Sequence, residues 1–420
     1  MSLTKKPTTG MKDILPEEMR IRDYCISVIQ DTYATFGFSH IETPCVEHIE
    51  NLCSKQGGEN EKLIFKVLKR GEKLNLAEAK EENDLVDSGL RYDLTVPLAR
   101  FYSNNAANLP QPFKALQMGN VWRADRPQKG RFRQFMQCDI DILGEASNLA
   151  EIELLLATTT LLSKLSFTNF KVKVNERKIL RAMALYAGFP EESLSEVYII
   201  LDKMDKIGFD GVREDLLNNG FDATAVDKYM SLFDGMNSSD DALDFLKNTL
   251  GDCLEAGVVE NMNEIFTTVN AAKVAGCEIV FDPTLVRGMG YYTGTIFEIE
   301  MKELNCSVAG GGRYDKMIGK FTGQDTPACG FSIGFERIIT ILLDRGFKVP
   351  GEQAKIAYLV EKGVDAAKMG EIIKEAGELR ANGQVVLVAK MNKNKKFQKE
   401  TLSKEGYTEF KEFYREELKF

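Results

Sequence analysis

Residues 116–143 read LQMGNVWRADRPQKGRFRQFMQCDIDIL, and the rest of the chain is best read outward from them. Leu116–Arg123 has the composition of a strand, 124–130 carries the turn formers Asp125, Pro127 and Gly130, and Arg131–Leu143 reads as the returning strand. A period of two separates the faces of that second strand. One face holds Phe132, Gln134, Met136, Cys138, Ile140 and Ile142, a mostly apolar set suited to a core. The other holds Arg131, Arg133, Phe135, Gln137, Asp139 and Asp141. An ordinary solvated face mixes lysine, threonine and glutamate without order. This one grades from two cations through an aromatic ring to an amide and two carboxylates. Such a gradient suits an elongated ligand with an anionic end, a flat middle and a cationic or donor-bearing end.

Upstream, apolar residues at helical spacing (Met19, Ile21, Tyr24, Val28, Ile29, Tyr33) predict a helix over 17–36, followed by a strand at Phe38–Ile41 and then Pro44. Residues 72–88 are polar and acidic and read as a loop or polar hairpin. Arg91–Tyr102 reads as a strand end running into a helix, with Thr95 as its N-cap and Pro97 in its first turn. Downstream, 175–272 is dominated by helical periods, and Ser238-Ser239-Asp240-Asp241 is a capped start for 242–250. Strand signals return at Glu278–Phe281 and Tyr291–Met301. The expected organisation is therefore a sheet domain, 1–174 with 273–345, interrupted by a helical insertion, 175–272. A short C-terminal α/β domain, 350–420, follows, with strands at Ala354–Val360 and Val385–Lys390 around a helix Val364–Ala381 and no further strand evident.

Composition narrows the chemistry. At 420 residues the chain exceeds one ordinary domain. It has no run of about 18 apolar residues, so no spanning helix is expected. The N-terminal MSLTKKPTTGMKDILP has no apolar stretch behind its lysines and does not resemble a secretory signal. Eight cysteines occur without a CxxC pair, which speaks against a zinc site and for a reducing, cytoplasmic setting. The only histidines, His40 and His48, leave little room for triad or multi-histidine metal chemistry. Neither a P-loop nor a strand-following GxGxxG occurs. With a net charge of −9, a nucleic-acid partner would have to be met by local basic patches.

Three glycine-rich segments remain. LVRGMGYYTG (285–294) sets Arg287, Tyr291 and Tyr292 where backbone can approach a ligand, and is equally a form of tight connection with packed tyrosines. VAGGGRYD spans 308–315, and GFSIGFER spans 330–337. The last reads as a strand entering a helix, with Arg337 in the first turn. A cation there opposes the helix dipole by roughly 0.3–1 kcal/mol. A nearby anion reverses that, whether Glu336 or a polyphosphate.

The order of these segments resembles class II aminoacyl-tRNA synthetases, and their details resemble the histidyl-tRNA synthetase family. The region 36–44 is similar to motif 1, 119–141 to motif 2 and 330–337 to motif 3, while LRYDLTVPLARF (90–101), LVRGMGYYTGTIFE (285–298) and GGRYD (311–315) resemble segments specific to the histidyl family. The resemblance implies an α+β fold: a class II antiparallel sheet flanked by helices, with the helical insertion and a C-terminal domain like a reduced anticodon-binding domain. It implies activation of histidine by ATP and transfer to tRNA(His), with Mg2+ on the phosphates, no membrane association, no metal held by side chains, and a homodimer with motif 1 at its two-fold axis. The roles it implies are Asp93 and Thr95 on the α-amino group and Asp141 with Gln137 on the imidazole. Tyr291 and Tyr292 would close the side-chain pocket. Arg123, Arg131 and Arg337 would meet the ATP phosphates, with Asp125 and Phe135 in the nucleotide site, and Arg287 would lie near the α-phosphate. Arg123, Arg287 and Arg337 are thereby the expected catalytic residues. For tRNA the candidates are Arg126, Gln128 and Lys129 in the motif 2 loop and Lys393, Lys395 and Lys396 in a C-terminal cluster near Tyr407, Phe410, Phe413 and Tyr414. A solvated helix face accounts for that cluster equally well.

Two departures stand out. Gly290 occupies a position where the family pattern has an acid, so either histidine binding loses one hydrogen bond or Asp139 or Asp315 compensates. The segment after the core is shorter than the family's anticodon-binding domain. The competing expectation is the histidine-binding, non-catalytic regulatory subunit of ATP phosphoribosyltransferase, a paralogue that tends to lose the ATP-clamping arginines. Their presence here favours the synthetase.

Overall fold

A computed structural model describes residues 3–53, 60–127, 131–287, 291–301, 306–351 and 354–415. The chain divides into two compact units, Met1–Lys12 with Ile26–Ile341, and Asp13–Cys25 with Leu342–Phe420.

In chain order the strands are β1 (Ser39–Ile41), β2 (Val46–His48), β3 (Lys66–Leu68), β4 (Val86–Leu90), β5 (Phe113–Trp122), β6 (Gln134–Leu143), β7 (Phe170–Glu176), β8 (Cys277–Phe281), β9 (Thr295–Met301), β10 (Cys306–Arg313), β11 (Ala328–Ile333), β12 (Lys355–Val360), β13 (Val386–Lys390) and β14 (Tyr407–Phe413). Eight of them form the main sheet of the first unit, in the order β1-β5-β6-β11-β10-β9-β7-β8. Every neighbouring pair is antiparallel except the two edge pairs, β1 with β5 and β7 with β8. The parallel β7–β8 pair needs a long crossover. Residues 177–272 supply it as a run of helices from Arg177–Ala187 to Val258–Ala272. Asp222 and Asp241 cap two of these by accepting from the backbone N–H of Ala225 and Asp244. Edge-on packing of Phe189, Phe221, Tyr229 and Phe233 fills the space between them.

One face of the sheet is sealed by the helix Leu149–Lys164, whose Leu154, Leu155, Ala157, Leu161 and Leu162 are fully buried. Cys138, Ile140 and Ile142 of β6 are likewise buried, as their period-two spacing requires. The regular strand is shorter than the sequence predicts: it begins at Gln134, although the Arg133 carbonyl still accepts from Arg123 N–H at 2.9 Å. There Arg133 N–H donates to the Gly10 carbonyl at 2.8 Å, a bond to a distant segment that local patterning does not reveal.

The polar stretch 72–88 has only short 3-10 turns, Gly71–Lys73 and Glu82–Leu85, before Val86. There β4 starts, and with β2 and β3 it forms a small antiparallel sheet over Ile49, Leu52, Ile64, Val86, Tyr92 and Val96. The following helix runs Thr95–Asn105, and Thr95 is its first residue rather than its cap. The capping bond comes from Asp93, whose Oδ1 accepts from Val96 N–H at 3.1 Å.

The second unit contains a parallel sheet in the order β13-β12-β14, against which the helix Ala366–Ala381 packs its Ile372 and Ala376 on Tyr358, Val360 and Val386. Strand β14 corrects the sequence reading, which found no further strand there. Its alternation is masked by Glu409, Lys411 and Glu412, while Phe413 packs on Tyr358 with ring centroids 4.9 Å apart.

Candidate active site

The open face of the main sheet forms one elongated cleft with two adjoining cavities. The inner one, about 270 Å³, is lined by Asp93, Thr95, Asp139, Asp141, Gln137, Tyr291, Tyr292, Tyr314 and Ser332, among others. The outer one, about 400 Å³, is lined by Phe135, Arg287, Glu336 and Arg337. Arg123, Asp125, Arg131, Gln137, Tyr291, Tyr292 and Ser332 border both. The cleft is therefore polar along its length, with three carboxylates at one end and four guanidiniums toward the other.

Strand register explains the acidic end. Asp141 and Asp139 of β6 lie opposite Gly330 and Ser332 of β11. Gly330 is required there, because a Cβ at that position would sit 2.0 Å from Asp141 Oδ1. The Tyr314 hydroxyl donates to the same Oδ1 at 2.5 Å, while Oδ2 is buried with no partner among the described residues. Gln137 Oε1 is a second buried acceptor without one. Burial pushes Asp141 up to about 7 against the Tyr314 hydrogen bond, and Asp93 adds to the rise. Burial and the neighbouring Asp141 push Asp139 up to about 8. Asp93 is raised as well, chiefly by burial. Three buried acids that resist ionisation together mark a pocket suited to a cation or a multiple N–H donor.

At the other end each arginine is held by its own contacts. Arg123 Nε donates to the Tyr92 carbonyl at 2.8 Å, and its guanidinium lies 5.1 Å from the Phe135 ring centroid. Arg131 pairs with Asp125 at 3.0 Å, so Asp125 anchors the arginine. Arg287 pairs with Glu298, and Gly310 leaves it room: a Cβ there would lie 2.7 Å from Arg287 Nη1. Arg337 donates to the Ser307 carbonyl. Glu336, one of the anions considered for Arg337, accepts from Met136 N–H at 3.2 Å. Burial depresses Arg287, and the nearby positive charge of Arg337 contributes.

A family model described as histidyl-tRNA synthetase matches residues 10–338. The chain belongs to the histidyl-tRNA synthetase family. It is 42% identical over 411 residues to a protein from Leifsonia xyli subsp. xyli named histidine--tRNA ligase, covering 96% of this chain and 94% of that protein. A protein of the same name from Phocaeicola vulgatus is 38% identical over 345 residues, 79% of this chain and 75% of its own length. The crystal structure of histidyl-tRNA synthetase from Nostoc sp. PCC 7120 superposes with a TM-score of 0.78 at 26% identity, covering 96% of this chain and 90% of that one. A structure described as an ATP phosphoribosyltransferase regulatory subunit/histidyl-tRNA synthetase from Bacillus halodurans C also has a TM-score of 0.78, over 99% of this chain and all of that one, but at 19% identity shares the fold alone.

Within this family member the sequence-derived site residues converge, with exceptions. Asp93, Thr95, Gln137, Asp141, Tyr291 and Tyr292 line the inner cavity, and Arg123, Arg131, Phe135, Arg287 and Arg337 line the outer one. Arg133, expected on the same face, turns away: its Nε donates to the Asp125 carbonyl at 3.0 Å and its side chain packs on Gly10. Gln128, Lys129 and Gly290 lie outside the described residues, and Arg126 is exposed beside that gap. In the C-terminal unit Lys395 is engaged with Glu412 and Tyr414, each at 2.8 Å, while Lys393 and Lys396 are exposed. Sequence reading gave no role to Tyr314, Ser332 or Gly330. Period two along β11 would have set Gly330 and Ser332 on the face opposite Phe331 and Ile333.

Proposed function

We infer that the chain is a histidine--tRNA ligase, which activates L-histidine with ATP and transfers the histidyl group to the 3′ end of tRNA(His). The observation that carries this reading is the polarity of the cleft, joined to family membership. In the proposed assignment Asp93 and Thr95 accept from the α-ammonium, and the unpartnered Asp141 Oδ2 and Gln137 Oε1 meet the N–H donors of the side chain. Tyr291 and Tyr292, with ring centroids 4.4 Å apart, wall the ring pocket. Arg123, Arg131 and Arg337 hold the phosphates, Phe135 stacks on adenine, and Arg287 lies where the amino acid carboxylate meets the α-phosphate.

The histidine carboxylate oxygen attacks the α-phosphorus, the bond from that atom to the bridging oxygen breaks, and pyrophosphate leaves with the electron pair. The terminal ribose hydroxyl of the tRNA then attacks the acyl carbon and AMP leaves. A carboxylate is already a nucleophile, so the first step needs no general base, and the guanidiniums act by positioning and charge stabilisation. Mg2+ enters as part of the nucleotide substrate. Among the described residues no group of three metal-ligating side chains converges, so its ligands would be phosphate oxygens and water.

For tRNA we propose the motif 2 loop (Arg126, Gln128, Lys129) at the acceptor end and Lys393 and Lys396 in the C-terminal unit. We further propose residues 175–272 as an inserted module, a homodimer, and residence in the cytoplasm. No described helix is long and apolar enough to cross a membrane. A purely histidine-binding, regulatory role gains no support from a cleft that keeps Arg123, Arg131, Arg287 and Arg337. Charging of tRNA(His) transcript with labelled histidine tests the whole reaction: ester formation at the 3′ end supports it, and histidine binding without ester overturns it.

A further inference from the structure

The acidic end of the cleft holds one carboxylate more than the amino acid contacts proposed above use. Asp139 is 4% exposed and lies between Gln137 and Asp141 on β6, opposite Ser332 of β11. Its Oδ1 accepts from the Ser332 hydroxyl at 2.5 Å. The same Ser332 oxygen accepts from Gln137 Nε2 at 3.2 Å. The three side chains thus form a directed relay, amide N–H to hydroxyl to carboxylate.

The direction has a consequence for recognition. A hydroxyl has one hydrogen, and the unprotonated Oδ1 of Asp139 takes it, whether or not Oδ2 carries the carboxyl proton. Ser332 can then only accept from Gln137, so the amide must present its nitrogen to Ser332. Its oxygen is turned away from Ser332, buried without a partner among the described residues, in a side chain that lines both cavities. With Asp141 Oδ2 also unpartnered, the pocket shows a ligand two acceptors and no competing amide donor from Gln137. Removing the hydroxyl would let the amide turn over, replacing an acceptor with a donor that repels a ligand N–H.

We propose that Asp139 and Ser332 are positioning residues that fix the Gln137 amide with its oxygen toward the cleft, and so set the site's preference for an amino acid bearing N–H donors. This rests on the histidine-activating function inferred above. In the assignment above neither residue contacts the reacting carboxylate or phosphate, so the effect is expected on amino acid recognition rather than on the chemical step.

The test is histidine-dependent ATP–pyrophosphate exchange by the full chain carrying S332A, S332C or S332T, with KM for histidine, KM for ATP and kcat measured separately. Loss of one oriented hydrogen bond is expected to raise KM for histidine by roughly three- to tenfold in S332A. KM for ATP and kcat should stay within about twofold, a spread smaller than one hydrogen bond's contribution. S332T, which keeps the hydroxyl, should restore KM. S332C, which keeps the volume but is a weak donor, should not. A merely structural role would make S332C as good as S332T, or would move kcat and both KM values together, and either result overturns the proposal. An unchanged KM in S332A overturns it too. If the unsubstituted chain exchanges with no amino acid, the functional reading has failed and the proposal fails with it. If that chain works and only the KM split is missing, the proposal alone has failed.

Discussion

The Tyr314 hydroxyl and the Asp141 carboxylate, 173 positions apart in the chain, meet at 2.5 Å on the floor of the cleft. Tyr314 engages one oxygen and leaves the other for a ligand. Y314F removes that donor while keeping the ring. It should raise KM for histidine by about tenfold, as loss of a hydrogen bond to a charged group does, and leave KM for ATP nearly unchanged. Steady-state exchange kinetics decide this, and an unaltered KM for histidine would remove Tyr314 from the site.

Neighbouring Gly330 offers a steric version of the same question. In G330A the new methyl would lie 2.0 Å from Asp141 Oδ1, so the carboxylate must move. Histidine binding by calorimetry should weaken by about an order of magnitude or more, the scale of a displaced charged contact. The β6–β11 pairing uses backbone groups and should survive. A folded G330A protein with wild-type histidine affinity would mean that the Asp141 position does not matter.

Much of this was legible beforehand. The hairpin around Arg123–Arg131, the helical run after β7 and the polarity of the odd-numbered residues of β6 all follow from short-range periodicity, which reports on burial directly. What escaped reading depends on partners far away in sequence. Arg133 departs because Gly10 captures its backbone. Tyr314 and Ser332 act through hydrogen bonds spanning 173 and 193 positions. In β14 the charged residues Glu409, Lys411 and Glu412 hide the alternation, and two of them serve ion pairs: Lys395 and Lys399 bind Glu412 at 2.8 and 2.7 Å, and Lys411 binds Glu375 at 2.6 Å.

The raised acids make stability depend on pH in a definite direction. Asp139 at about 8, Asp141 at about 7 and Glu176 at about 7 hold protons in the folded chain that the unfolded chain releases near 4. Between those values the folded state binds more protons, so stability falls as pH rises from about 5 to about 8. The ligand-free Tm should drop across that window, and D139N should flatten the drop. Histidine should stabilise most at its upper end, where its cationic groups meet ionised carboxylates, and binding at pH 6.5 should release protons to the buffer. A Tm slope identical in D139N would contradict this account of Asp139.

At the cationic end R287A and R337A should each lower the exchange rate on the order of 100-fold, as removal of single preorganised donors does elsewhere. R337A should leave the dissociation constant for histidine within about threefold, less than one hydrogen bond to a charged group. Equilibrium binding beside exchange separates the two effects. Loss of histidine binding in R337A would mean that the two ends of the cleft are not independent.

Surface lysines separate RNA contact from chemistry. K396E should impair tRNA charging several-fold at physiological salt, because one phosphate contact contributes about one counterion, without changing ATP–pyrophosphate exchange. K395E, which breaks the pairs with Glu412 and Tyr414, should lower the Tm of the C-terminal unit instead. Equal loss of charging and exchange in K396E would remove Lys396 from the tRNA surface.

The most direct test is ATP–pyrophosphate exchange by the purified chain with each of the 20 amino acids in turn. Exchange with histidine, and at most trace exchange with the others, is the expected result. Exchange driven by a different amino acid, or tight histidine binding with no exchange at all, would contradict the account.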